Sequence, residues 1–127
     1  MFKRNSVKSG AISTLIGART TVQGNLEFVG GCHVDGRVVG NVTTAAGAQG
    51  FLSVSEQGAV EGSVDVAQVL LNGLVNGDIL ARERVELGPK ARVMGNVQYG
   101  IIEMALGAEI NGKLIHLAAA KADDAKT

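Results

Sequence analysis

The chain has 127 residues, 12 basic (Lys and Arg) and 12 acidic side chains, three Phe, one Tyr, no Trp and one Cys. That is enough chain for one domain, and the balanced charge argues against a globally basic nucleic-acid binder. The few aromatics exclude a stacking platform for single strands, and the lone Cys excludes a disulfide framework or a multi-Cys zinc site.

No apolar run reaches the roughly 18 residues of a membrane-spanning helix. Gly is 18 of 127 residues and Pro is one, against a typical Gly share of roughly 7%. Apolar residues make up 46%, so the core must be built from Val, Leu, Ile and Ala. Gly interleaved with so many strand formers is not linker composition.

Residues 1–18 read as a flexible basic head. Residues 1–20 contain Lys3, Arg4, Lys8 and Arg19 and no acid, a charge of +4. Met1, Phe2, Lys3, Arg4 and Lys8 form a candidate membrane-targeting peptide. Each cation near anionic lipid is worth about 1 kcal/mol, and Phe2 adds a small insertion. One such peptide binds weakly, whereas a polymer displaying many binds firmly. The plain alternative is a disordered start whose charge aids solubility. As the core of a signal peptide, residues 11–16 are short and interrupted by Ser13 and Thr14.

The body, residues 19–117, is a repeat. An apolar-x-Gly-x-apolar pattern runs through Val22-Gln23-Gly24-Asn25-Leu26, Val38-Val39-Gly40-Asn41-Val42 and Val60-Glu61-Gly62-Ser63-Val64. It continues through Val75-Asn76-Gly77-Asp78-Ile79, Val93-Met94-Gly95-Asn96-Val97 and Ile110-Asn111-Gly112-Lys113-Leu114. The first residues are 16, 22, 15, 18 and 17 apart. The longest interval contains residues 45–50, a short corner insertion. Apolar residues two apart indicate strands with one face buried. Val60, Gly62, Val64 and Val66 share the inner face, while Glu61, Ser63 and Asp65 share the outer one.

A repeat of about 17 residues without helical period returns to the same place each turn if three short strands are joined by corners. The expected fold is all-β: a parallel β-solenoid of about six turns, with strands of about five or six residues stacked roughly 4.8 Å apart. Unbroken hexapeptide spacing would mark a left-handed helix. The intervals break that spacing, which favours a right-handed one. Residues 118–127 are Ala-rich and polar, and read as a disordered tail.

Solenoids usually cover their terminal turns with a cap. Nothing here reads as one, so the expected contact residues are Val22, Leu26 and Phe28 at the first turn. At the last turn they are Ile110, Leu114, Ile115 and Leu117. About six hydrogen bonds of roughly 0.5–1.5 kcal/mol each, with several covered aliphatic side chains, can exceed an association cost of about 4–15 kcal/mol. The expected partner is a second copy, joined end to end in a chain.

Other chemistry-bearing residues have plain readings. Cys32 has inward parity, as a buried thiol. His33 and His116 read as surface histidines, with no orienting partner that would make a catalytic base. Asp35, Glu61, Asp65 and Asp78 could form an acidic ladder up one wall or simply sit in solvent. Asn25, Asn41 and Asn96 read as corner residues. No catalytic, cofactor-binding or metal-ligating residue is assigned, and no nucleic acid is expected.

Several stretches resemble the bactofilins, a family of bacterial cytoskeletal proteins. They are Thr14-Leu15-Ile16-Gly17 with Thr21-Val22-Gln23-Gly24-Asn25-Leu26, then His33-Val34-Asp35-Gly36-Arg37-Val38-Val39-Gly40-Asn41-Val42, and finally Met104-Ala105-Leu106-Gly107-Ala108-Glu109-Ile110-Asn111-Gly112-Lys113-Leu114. The similarity covers residues 14–117, most of the chain.

The resemblance implies a right-handed triangular β-helix that assembles without nucleotide into non-polar filaments by head-to-head and tail-to-tail contacts. It also implies a cytoplasmic scaffold on the inner face of the membrane, serving cell shape, polarity or peptidoglycan synthesis, with cell-wall or polarity proteins as partners. Where family members often place a Phe near the carboxy-terminal contact, the last turn here offers Ile115 and Leu117. The competing class is a trimeric β-solenoid enzyme such as an acyltransferase. It would need an active-site His between subunits and a cofactor groove, for which residues 45–50 are too small and inert.

Overall fold

A computed structural model describes residues 12–45 and 49–117. The basic head, the middle of the corner insertion and the tail lie outside the described residues. Every described element is a strand and every pairing is parallel.

The strands stack into three walls of six rungs each. Wall 1 is β1 (Ile12–Ile16), β4 (Gly30–Val34) and β7 (Gly50–Val54), followed by the second halves of β9 (Val64–Leu71), β11 (Ile79–Leu87) and β13 (Val97–Met104). Wall 2 is β2 (Thr21–Gln23), β5 (Arg37–Val39), β8 (Ala59–Glu61), β10 (Leu74–Asn76), β12 (Arg92–Met94) and β14 (Glu109–Asn111). Wall 3 is β3 (Leu26–Phe28), β6 (Val42–Thr44), the first halves of β9, β11 and β13, and β15 (Leu114–His116). Three strands thus bend through the corner between walls 3 and 1, with a register shift between Ala81 and Arg84 marking the bend.

The repeat spacing is the turn length. Val22, Val38, Val60, Val75, Val93 and Ile110 pair in register up the centre of wall 2. Wall 1 contributes the inward columns Thr14-Cys32-Leu52-Val69-Val85-Ile102 and Ile16-Val34-Val54-Leu71-Leu87-Met104. Wall 3 contributes Leu26-Val42-Val64-Ile79-Val97-Leu114. Among the described residues the bore contains no buried polar or charged side chain. Aliphatic rungs of matching size pack on one another at each step, the arrangement that removes most apolar surface per residue in so narrow a section.

Three expectations need correction. The apolar-x-Gly-x-apolar motif is not one strand: β2 ends at Gln23 and β3 begins at Leu26, so each copy crosses a corner. Strands on walls 2 and 3 are accordingly as short as three residues. The solenoid also starts earlier than the head boundary at residue 18, because Ile12–Ile16 forms β1 and pairs with β4. Outward-facing Leu15, exposed beside buried Ile16, blurs the alternation that would have revealed that strand.

The motif glycines stack at the corner between walls 2 and 3. A Cβ built at Gly40, Gly62, Gly77, Gly95 or Gly112 would overlap the carbonyl oxygen of the motif glycine one turn below. The next residue braces the same corner. Asn25 Oδ1 accepts the Asn41 N–H at 3.0 Å, and Asn41 Oδ1 accepts the Ser63 N–H at 3.0 Å. Asp78 serves Asn96 at 2.9 Å, and Asn96 serves Lys113 at 3.0 Å.

These residues are corner chemistry, as expected, but each acts on the turn above rather than on its own. Asn41→Ala should lower stability by about 1 kcal/mol, the net worth of one such hydrogen bond. A thermal melt of the pure protein reads it as a fall of a few degrees.

Candidate functional site

The two tips of the rod are where the repeating order stops. At the carboxy-terminal tip the last rungs are residues 101–104 of β13, then β14 and β15. Among the described residues no further strand pairs with any of them. Their outer N–H and C=O groups form an open sheet edge, which strongly favours adding another strand.

The inward columns continue into this rung, and among the described residues no further strand covers them there. Leu114 is 47% exposed and Met104 46%. Ile102, Ala108 and Ile110 pack against the core from below but are only half-buried. Leu106, at the corner beside them, is 96% exposed. Exposed large apolar side chains gather here and near the first turn, where Ile12, Leu15 and Val29 stand out.

The amino-terminal tip differs. Its first rung, formed by β1, β2 and β3, also lacks a further strand among the described residues. Yet its core-facing Ile16 and Phe28 are each only 5% exposed, and Val22 and Leu26 are half-buried. Of the expected contacts, Val22 and Leu26 therefore offer surface to a partner, while Phe28 fills the bore.

At the other tip, Ile110 and Leu114 continue inward columns. Leu117 stands at the corner above Gly100, its N–H donating to the Tyr99 carbonyl at 2.7 Å. Ile115 is placed differently. It continues the outer column Glu27-Thr43-Asp65-Leu80-Gln98 and faces away from the bore.

Sequence reasoning missed Ile102, Met104 and His116 as tip residues. The first two follow Val85 and Leu87 by one 17-residue turn, a spacing present in the repeat. His116 has core-facing parity, contrary to the expected outward one, because its register partner is Tyr99. The rings lie 5.4 Å apart at 37°, and His116 Nε2 is 3.0 Å from the Gly100 carbonyl oxygen.

His33 is the other histidine, and it is partnered. It lies on the outer face of wall 1 with Nδ1 3.0 Å from Ser53 Oγ and Nε2 3.0 Å from Asp35 Oδ1. The Nε2–H donates to the Asp35 carboxylate, and the Ser53 hydroxyl donates to Nδ1. The Ser55 hydroxyl dipole holds the Asp35 carboxyl below its ordinary range, partly opposed by desolvation and aided by His33. Ser55 Oγ is itself buried and makes no hydrogen bond of good geometry. The chain of three side chains works as a brace between turns.

The acidic residues do not form a ladder up one wall. Asp35 pairs with His33, Glu61 with Arg37, Asp65 with Arg82, and Asp78 caps a backbone amide. They are spread over different walls and corners, each matched to a neighbour. Arg84 reaches both Glu86, at 2.7 Å, and Glu103. Glu86 first, and Glu103 with it, push the guanidinium pKa further up. Exposed pairs of this kind contribute little to stability because water and salt screen them.

Cys32 is fully buried, and burial pushes its thiol up to about 11. In native protein it should react with a thiol reagent on the order of a hundredfold more slowly than in unfolded protein. Timed alkylation with and without denaturant, read by mass spectrometry, checks this.

Among the described residues no helix is long and apolar enough to cross a membrane. No solved structure gave a significant match to the chain. Two proteins of Myxococcus xanthus (strain DK1622) are similar to it. Bactofilin BacP is 30% identical over 112 residues, covering 88% of this chain and 45% of BacP. Bactofilin BacO is 28% identical over 102 residues, covering 80% of this chain and 78% of BacO. The chain thus spans less than half of BacP and about four fifths of BacO. Residues 14–115 match the family Bactofilin, described as polymer-forming cytoskeletal. That match takes in all three walls and both tips, and the chain belongs to the bactofilin family of polymer-forming cytoskeletal proteins.

Proposed function

We propose that this protein is a non-enzymatic scaffold that joins end to end through its tips into nucleotide-independent, non-polar filaments. The observation behind the reading is the carboxy-terminal tip, where open strand edges surround exposed Met104 and Leu114 at the end of an otherwise dry bore. A second copy docked there would extend all three walls. It would satisfy about six hydrogen bonds of roughly 0.5–1.5 kcal/mol each and bury several aliphatic side chains. Nothing in that joint calls for a nucleotide.

Filaments of this kind would lie on the inner face of the cytoplasmic membrane, held by many copies of the basic head. Met1, Phe2, Lys3, Arg4 and Lys8 supply charge and one insertable ring in each copy. Held there, the polymer would organise the machinery of cell shape or peptidoglycan synthesis.

Electron microscopy and sedimentation of purified protein without nucleotide test the core of the reading. Filaments that pellet support it, and monomers or discrete trimers at tens of micromolar overturn it. Co-sedimentation with anionic and neutral vesicles, using wild type and a Lys3→Glu, Arg4→Glu variant, tests the membrane part. That part fails if the variant still binds the anionic vesicles.

A further inference from the structure

An inner column of wall 3 ends on a side chain that can carry charge. Val66, Ala81, Tyr99 and His116 stand in register on four successive rungs. Val66 and Ala81 are fully buried, Tyr99 is half-buried and His116 is exposed, and among the described residues no rung follows it. A copy docked on this tip would place its own rung over the imidazole and take it out of water. The one side chain whose charge normally changes between pH 5 and 8 therefore sits where the dry bore would continue into a neighbour.

The local hydrogen bonding leaves a positive charge here poorly compensated. His116 Nε2 donates to the Gly100 carbonyl, so the neutral ring has its proton on Nε2 and a bare lone pair on Nδ1. On β13, the strand that packs against it, the titratable groups are the Tyr99 phenol and Glu103. Glu103 is engaged by Arg84. On β14, Glu109 lies 3.5 Å from Arg92. Lys113, at the corner just before β15, is a like charge. Among the described residues no carboxylate pairs with His116. A protonated ring in a closed joint would thus be a desolvated and unpaired cation.

We infer that His116 is a proton-sensitive contact of the carboxy-terminal tip, so that joining this tip to a second copy requires the neutral imidazole and acid opens the joint. The inference rests on the end-to-end reading above. Its sign follows from linkage: the open tip binds protons that the closed joint excludes, so association weakens as pH falls. Below the midpoint of the open tip, each His116 buried in a joint raises the critical concentration about tenfold per pH unit. Each chain carries one His116 into a joint whether the joints are tail-to-tail or head-to-tail, so about tenfold per pH unit is the limiting steepness for addition of single chains.

The experiment measures critical concentration by sedimentation from pH 8 to pH 5 for wild type, His116→Gln, His116→Lys and His33→Gln. Circular dichroism verifies the fold of each. The expected wild-type result is a steep rise in critical concentration in acid, matched by His33→Gln. His116→Gln keeps an amide to donate to Gly100 without titrating, and should assemble nearly independently of pH. His116→Lys carries its charge throughout and should fail to form filaments at pH 8. A flat wild-type profile, or a His116→Gln profile as steep as wild type, overturns the inference and leaves the filament reading standing. Absence of assembly at every pH overturns both.

Discussion

Leu114→Asp is expected to leave the protein folded and abolish its filaments, whereas Ile115→Lys, one residue further on, leaves them intact. Leu114 ends the column that begins Leu26-Val42-Val64, and it is 47% exposed, with no seventh rung over it among the described residues. Covering a leucine fully contributes about 1.5–3 kcal/mol, and a carboxylate in its place costs several more if it finds no partner. Losing about 4 kcal/mol per joint raises the critical concentration on the order of a thousandfold. Fold is spared because the site lies on the last rung, whose neighbours are all on one side. Ile115 lies beside Gln98 on the outer face of wall 3, where a lysine stays in water and costs at most about 0.5 kcal/mol. Sedimentation of both variants beside wild type separates a joint made by core-facing columns from one made by the sides of the tip. Wild-type filaments from Leu114→Asp would place the contact elsewhere.

The repeat was legible because a solenoid writes its geometry in one dimension. The residues that pair in space, Val22 with Val38 and Val93 with Ile110, are separated by one turn of chain, and so the spacing of the motif is the turn itself. The inner and outer faces were legible for the same reason.

What escaped was whatever depends on register between turns. Asn41 looks like a turn residue on its own corner, but its carboxamide serves Ser63, 22 positions away. Asp35 and Asp65 share a parity with Glu61, yet parity does not say which wall a residue occupies. At the last rung Leu114, Ile115 and Leu117 are apolar on both parities, so alternation could not place His116. Only its pairing with Tyr99 does. The carboxy-terminal tip is the least legible part because, among the described residues, the pattern there has no following turn to confirm it.

The glycine corner yields the largest expected effect on stability. Gly24 and Gly77 occupy the same position of the same motif, both with positive φ, at 125° and 156°. Alanine at either meets backbone strain of about 1–2 kcal/mol. They differ in what lies below. A Cβ at Gly24 meets nothing within 4 Å, whereas one at Gly77 runs into the carbonyl of Gly62.

That carbonyl belongs to a strand corner held by ladders on both sides and cannot rotate away as a side chain would. Overpacking of this sort costs about 1–3 kcal/mol in addition to the strain. Gly77→Ala should therefore lose about 4 kcal/mol, a large part of the roughly 5–15 kcal/mol that holds a domain together. Gly24→Ala should lose no more than about 2. Urea denaturation read by circular dichroism measures both, in a Leu114→Asp background so that assembly does not add its own stabilisation. Equal losses at the two positions would mean that the glycines serve the bend alone. A loss confined mainly to Gly77 would mean that they are there to let each turn rest on the backbone of the one beneath it.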